Sequence, residues 1–144
     1  MTYLLDTNIV SVLVQPSPDP RVVNWIRATS PLDLGISVLV LGEVEQGVAS
    51  LPPGRRRDEL QAWARDGLPR LFAGRILPVT PPIAREWGRL RAEARHAGRP
   101  LPVVDGLLLA TASAHRLTLA TRNVADVAQR GVPVFDPYTG TLHQ

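Results

Sequence analysis

The stretch "YLLDTNIV", residues 3–10, sets an apolar run from Tyr3 to Leu5 directly against an acid, a hydroxyl and an amide, before apolar residues resume at Ile9. That order reads as a short buried strand breaking into a helix. Asp6 at the junction is either a helix cap or the first member of a site assembled from distant parts of the chain. Working outward, β-rich runs at 2–5, 32–37, 75–79, 117–121 and 132–135 alternate with stretches of helical spacing at 38–50, 55–72, 80–97 and 102–115. Such alternation predicts βαβ units around a parallel sheet, an α/β sandwich, with residues 1–144 forming one domain. The proline-rich segments at 16–20, 52–53, 81–82 and 100–102 read as loops and helix starts.

Composition narrows the chemistry. The chain has no cysteine, which excludes disulfides, a cysteine nucleophile and cysteine-bound zinc. The 16 basic residues are all arginine, and against 13 acids they give a net charge of +3. Guanidinium forks suit phosphate, so a nucleic-acid partner is compatible with this usage, although the net charge is small. Without lysine the chain cannot be a P-loop enzyme or an aspartyl-phosphate enzyme of the haloacid-dehalogenase or response-regulator type. No G-x-S-x-G elbow is present, and His96, His115 and His143 have no metal-ligand spacing. Neither a leader segment nor a run of about 18 apolar residues occurs, so a soluble, cytoplasmic protein without a membrane role is expected.

Three carboxylates stand in apolar surroundings, where each must be paired, hydrogen-bonded, protonated or metal-bound. Asp6 ends the first strand. Glu43 lies inside "SVLVLGEVEQGVASL", residues 37–51, where Ser37 is the expected N-cap and Val40, Val44, Val48 and Leu51 form the core stripe. Asp105 sits in the first turn of "PVVDGLLLATASAH", residues 102–115, a helix expected to be buried nearly all round. In a parallel sheet the loops after strand ends share one edge, so the three acids can meet there. The segment "TRNVAD", residues 121–126, adds Thr121, Asn123 and Asp126 after another strand. Converging oxygens of this kind suit Mg²⁺ or Mn²⁺ and a metal-dependent hydrolysis of phosphodiesters. Each residue also has a plainer reading. Asp6 can cap a helix, Asp105 can complement a helix N-terminus, Glu43 can face solvent beside Glu45, and Asp126 can cap a short helix. The run Arg55 to Arg57 reads first as a solvated face, and Trp25, Trp63 and Trp87 as core residues.

Taken together, "YLLDTNIV", "SVLVLGEVEQGV", "PVVDGLLLATA" and "LATRNVADV", with "LFAGRILPV" between them, resemble the PIN-domain ribonucleases, in particular the VapC toxins of type II toxin–antitoxin modules and their FitB-like members. The resemblance implies a three-layer α/β/α sandwich and a Mg²⁺-dependent (or Mn²⁺-dependent) endoribonuclease. It also implies a VapB-like cognate antitoxin, a homodimer and a toxin–antitoxin hetero-oligomer. By the same resemblance Asp6 and Asp105 are metal ligands, Glu43 acts directly or through water, and Thr7, Asn8 and Thr121 support the site. The departure is Asn123, which stands where the family often has a fourth acid, with Asp126 as the alternative. Arg99 and Arg122 are the candidate RNA contacts. The competing functions are a housekeeping RNA-processing nuclease of the same fold and a PIN-like binding module that no longer cleaves.

Overall fold

A computed structural model describes all residues, 1–144. Six strands form one sheet: β1 (Tyr3–Leu5), β2 (Leu34–Ser37), β3 (Ile76–Leu77), β4 (Thr118–Ala120), β5 (Val134–Asp136) and β6 (Thr141–His143), in the spatial order β3-β2-β1-β4-β5-β6. The first five are parallel, and β6 runs antiparallel beside β5. The sheet agrees with the expected parallel α/β architecture. The sixth strand lies beyond the five expected runs. It follows a tight turn in which Gly140 takes φ of 72°, a left-handed conformation natural to glycine.

Eight helices cover the sheet: α1 (Thr7–Val10), α2 (Pro20–Ala28), α3 (Val38–Ala49), α4 (Arg55–Ala62), α5 (Leu68–Leu71), α6 (Pro81–His96), α7 (Val103–Ala114) and α8 (Val124–Val127). Strand alternation sends successive side chains to opposite faces. Leu4 accordingly joins a core with Leu90, Leu108 and Leu109 on the α6 and α7 side, and Leu5 joins a core with Ile9, Val40 and Leu68 on the other. The outcome is three layers, helices on both sides of the sheet.

Two helices differ from their expected form. The segment 55–72 is not one regular helix, because a π turn, Trp63–Gly67, separates α4 from α5. Pro69 lies just beyond it and has no N–H to continue an α-helical ladder, so the widened turn lets the chain continue without a break. The Asp105 helix, α7, is buried through its middle from Leu108 to Ala112, but Val103 is 49% exposed. Its first turn projects past the sheet edge and opens to solvent.

Helices α6 and α7 approach unusually closely at Gly106. A Cβ there would lie 2.9 Å from Trp87 Cδ1 and 3.2 Å from Leu101 Cδ2. The indole also donates from Nε1 to the Val103 carbonyl at 3.1 Å. Gly106→Ala is therefore expected to push α6 away from α7 and to destabilise the fold by about 1–3 kcal/mol despite alanine's better helix propensity. A melting temperature lowered by roughly 2–10 °C checks this.

Candidate active site

The site forms where the connections diverge. From β1 the chain crosses to β2 on one side, while β4 and β5 extend the sheet on the other, so a crevice opens beyond the ends of β1 and β4. Register places Leu5 opposite Ala120, which makes Asp6 and Thr121 neighbours just past the last paired residues. The Asp6 N–H donates to the Ala120 carbonyl at 2.9 Å, continuing the ladder by one bond.

Asp6 is buried and fully engaged. Its Oδ1 accepts from the Thr7 N–H at 2.7 Å, and its Oδ2 accepts from Thr121 Oγ1 at 2.7 Å and from Asn8 Nδ2 at 3.3 Å. It is also the N-cap of α1, so the two readings of Asp6 are compatible. Thr121 Oγ1 in turn accepts from Asn8 Nδ2 at 3.2 Å and from the Asn123 N–H at 3.0 Å, which uses the whole capacity of a hydroxyl. Asn8 Oδ1 accepts from the Arg122 N–H at 3.2 Å. The Asn8 and Thr121 side chains are thus joined with Asp6 in one network.

The other acids arrive from separate elements. Ser37 caps α3 through the Leu39 N–H, and Val40, Val44 and Val48 bury one stripe of that helix, which turns Glu43 toward the crevice. There Glu43 Oε1 accepts from Thr7 Oγ1 at 2.7 Å. Asp105 comes from the open first turn of α7, and Asp126 from α8. The Asn123 amide lies between these two, its Nδ2 donating to Asp105 Oδ2 at 3.1 Å and to Asp126 Oδ2 at 3.0 Å. Asp126 is inside α8 and does not cap a helix that follows it, because the residues after Val127 are not helical. Asn123 and Asp126 are thus joined by a hydrogen bond, with the amide set between the two acids.

Burial and mutual repulsion show in the acidity of the group. Desolvation, followed by the charges of Asp6, Asp126 and Glu43, raises the Asp105 pKa to about 6. Burial raises Asp6 as well, against the opposing effect of its hydrogen bonds. The acids do not close into a cage of three or more metal ligands among themselves. Their donor set is oxygen only and crowded with negative charge, which fits a hard cation held by one or two carboxylates with water completing its shell.

The arginines are arranged less simply. Arg99 Nη2 donates to the Ala125 carbonyl at 2.8 Å, and Arg122 lies over the Tyr138 ring at 4.6 Å. In the 55–57 run, Arg55 pairs with Glu59 while Arg56 and Arg57 donate to backbone carbonyls. Arg130 escaped the sequence reading. It donates to the carbonyls of Asp126, Arg99 and Pro100 at 2.7, 3.1 and 3.2 Å, tying α8 to the loop that leads into α7. Its charge also opposes the rise in the Asp105 pKa. Backbone carbonyls carry no residue signature, so the only sequence signal was an arginine four residues after Asp126.

Residues 3–126 match the PIN domain model. The chain belongs to the PIN-domain family, among the FitB and VapC toxins. Toxin FitB of Neisseria gonorrhoeae is 36% identical, with 94% of this chain and 97% of FitB covered. VapC ribonuclease Y4jK of Sinorhizobium fredii is 33% identical over 94% of this PIN domain and 96% of its own length. The crystal structure of FitAcB from Neisseria gonorrhoeae superposes with a TM-score of 0.90 at 36% identity, covering 95% of this chain and 99% of that one. A toxin–antitoxin complex from Klebsiella pneumoniae gives 0.72 at 31% identity, over 95% and 98%.

Because the Asp105 pKa is raised above the unfolded value of 3.8, the folded, metal-free PIN domain binds the extra proton between the two pKa values. That favourable contribution is complete below about 3.8 and is lost as pH rises through about 6. A divalent cation bound at Asp105 would compete with the same proton. Thermal melts with and without millimolar Mn²⁺ are expected to show a clearly larger metal-induced rise at pH 7.5 than at pH 5.

Proposed function

We propose that this PIN domain is the toxin of a type II toxin–antitoxin module, an endoribonuclease that uses Mg²⁺, with Mn²⁺ as a substitute, and acts in the cytoplasm. The observation that carries the reading is the convergence of Asp6, Glu43, Asp105 and Asp126 on the crevice beyond β1 and β4 in a chain of this family. No helix is long and apolar enough to cross a membrane.

Asp6 and Asp105 would hold the metal, and Glu43 would act on it directly or through water. When bound, the metal supplies neutralisation of charge developing on the scissile phosphate and a more acidic water as nucleophile. The chain's own contribution is orientation. Thr121 and Asn8 fix the rotamer of Asp6 and partly offset the cost of burying its charge, and Thr7 aims Glu43 into the crevice. Asn123 holds Asp105 and Asp126 together by donating one hydrogen bond to each, which draws two acids close without adding a fifth charge. The raised pKa of Asp105 belongs to the metal-free site, and a bound cation would displace that proton.

The antitoxin also has a natural place. Between α1, α2 and α5 lies an apolar cleft of about 130 Å³, lined by Leu13, Ile26, Leu34, Leu71 and Phe72 among others. Leu13 and Leu71 stand 39% and 50% exposed at its rim. An apolar side chain from the cognate antitoxin would cover them, with toxin protomers pairing as a homodimer in the inhibited complex.

Purified protein is expected to cleave RNA with Mg²⁺ and to stop with EDTA. Asp6→Asn and Asp105→Asn should each reduce the rate by about a hundredfold or more, close to 3 kcal/mol in the barrier. Cleavage by both variants at the parent rate would overturn the assignment. Leu71→Glu should weaken antitoxin binding at least tenfold, about 1.4 kcal/mol, while RNA cleavage continues. Isothermal titration with the cognate antitoxin and a parallel cleavage assay check this pair of outcomes.

A further inference from the structure

Helix α6 has two chemically different sides. On one, Arg89 is bonded to both Glu86 and Glu93, so its charge is neutralised locally. On the other, Arg91 and Arg95, with His96 at the helix end, line a groove of about 770 Å³ together with Trp87, Gly98 and Leu101, and no carboxylate lines it. Arg91 is held in place. Its Nε donates to the Leu101 carbonyl at 3.2 Å and its guanidinium lies over the Trp87 ring at 5.5 Å, which leaves both terminal nitrogens without a protein partner. Arg95 and His96 make no ion pair and no side-chain hydrogen bond.

These side chains are not needed to finish the helix. Gly98 takes φ of 65°, and the N–H groups of Gly98 and Arg99 return to the carbonyls of Arg95 and Ala94 at 3.1 and 2.9 Å. The α6 C-terminus is therefore closed by its own backbone in a Schellman turn. The groove also adjoins the catalytic crevice. Trp87, which forms its wall, bonds to the Val103 carbonyl two residues before Asp105 and packs on Gly106 directly after it.

We propose that this groove binds the sugar–phosphate backbone of the single-stranded RNA that flanks the bond to be cut. The proposal rests on the ribonuclease reading above. An acidic crevice repels a polyanion, so the strand must be gripped by cations set to one side of it. Arg130 is spent on three backbone carbonyls. Arg91 keeps both terminal nitrogens open beside Trp87, and Arg95, next along the groove, has no protein partner. Guanidinium forks pre-set by a carbonyl and an aromatic face match phosphate oxygens, and an Arg-only surface gives up no affinity to lysine's looser geometry.

The test uses full-length protein carrying Asp6→Asn and a labelled single-stranded RNA of roughly 12 nucleotides, with affinity followed by fluorescence anisotropy across a salt series. Adding Arg91→Gln and Arg95→Gln together should lower the steepness of log K against log salt by about 1.4, at about 0.7 per lost contact on a single strand. Arg89→Gln, the same charge change on the opposite side of α6, should leave the steepness as it was. Arg95→Gln alone, at an exposed position, should lower it by about 0.7. Its effect keeps the idea testable if loss of the Arg91 stem disturbs Trp87. In protein with Asp6 intact, the double variant should raise KM for the long strand several-fold at unchanged kcat.

An unchanged slope in protein whose parent cleaves RNA would overturn the groove and leave the ribonuclease reading standing. A reduced slope in protein whose parent cleaves nothing would support the groove and sink the ribonuclease reading. If the double variant keeps its RNA affinity but loses the antitoxin, the groove is a protein-binding surface and the proposal is overturned.

Discussion

The constraint on which the site depends is that Asp6 is an acid with almost no water around it. A carboxylate in that position costs several kcal/mol unless the protein replaces its hydration shell. Here three donors do so, one from the next residue's backbone, one from Asn8 and one from Thr121. Thr121 reaches Asp6 only because β1 and β4 are paired in parallel with Leu5 opposite Ala120. A slip of one residue in that register would reverse the faces of Leu119 and Ala120 and remove the hydroxyl from the acid. The two hydrophobic cores and the active crevice are thus specified by the same strand pairing.

Around that fixed acid the remaining groups are held by polar links between elements rather than by the core. Thr7 connects α1 to α3 through Glu43, Asn123 connects α7 to α8 through two carboxylates, and Arg130 connects α8 to the loop before α7. Repulsion among the four acids works against this arrangement and, after burial, adds to the raised proton affinity of Asp105. The amide of Asn123 explains how the crowding is tolerated. It supplies a donor where another acid would add repulsion.

Much of the fold was legible because it rests on local pattern. Short apolar runs followed by helical spacing are what a doubly covered parallel sheet requires, and Asp6, Glu43 and Asp105 stood out because acids are costly in such runs. The PIN-family motifs added the connection among them. What the sequence did not reveal depends on partners far away or on backbone atoms. The Thr7 to Glu43 bond spans 36 positions, and Arg130 is defined by three carbonyls. β6 buries no residue and carries one apolar side chain, the half-exposed Leu142, so it shows no apolar run. The exposed first turn of α7 was hidden for a similar reason: Val103 and Val104 look like core residues until the sheet edge is known.

The pairing of β1 with β4 also has a consequence in time. The partners that complete Asp6 lie 113 to 115 positions along the chain from residues 6 and 8, so a ribosome must make most of the protein before they can meet. An N-terminal portion ending before Asp105 holds Asp6 and Glu43 but neither the helix that brings the third acid nor the strand that brings Thr121. Synthesis proceeds from the N-terminus, and contacts this distant form late. A nascent chain therefore has no complete acidic crevice until the β4 segment has emerged and docked against β1.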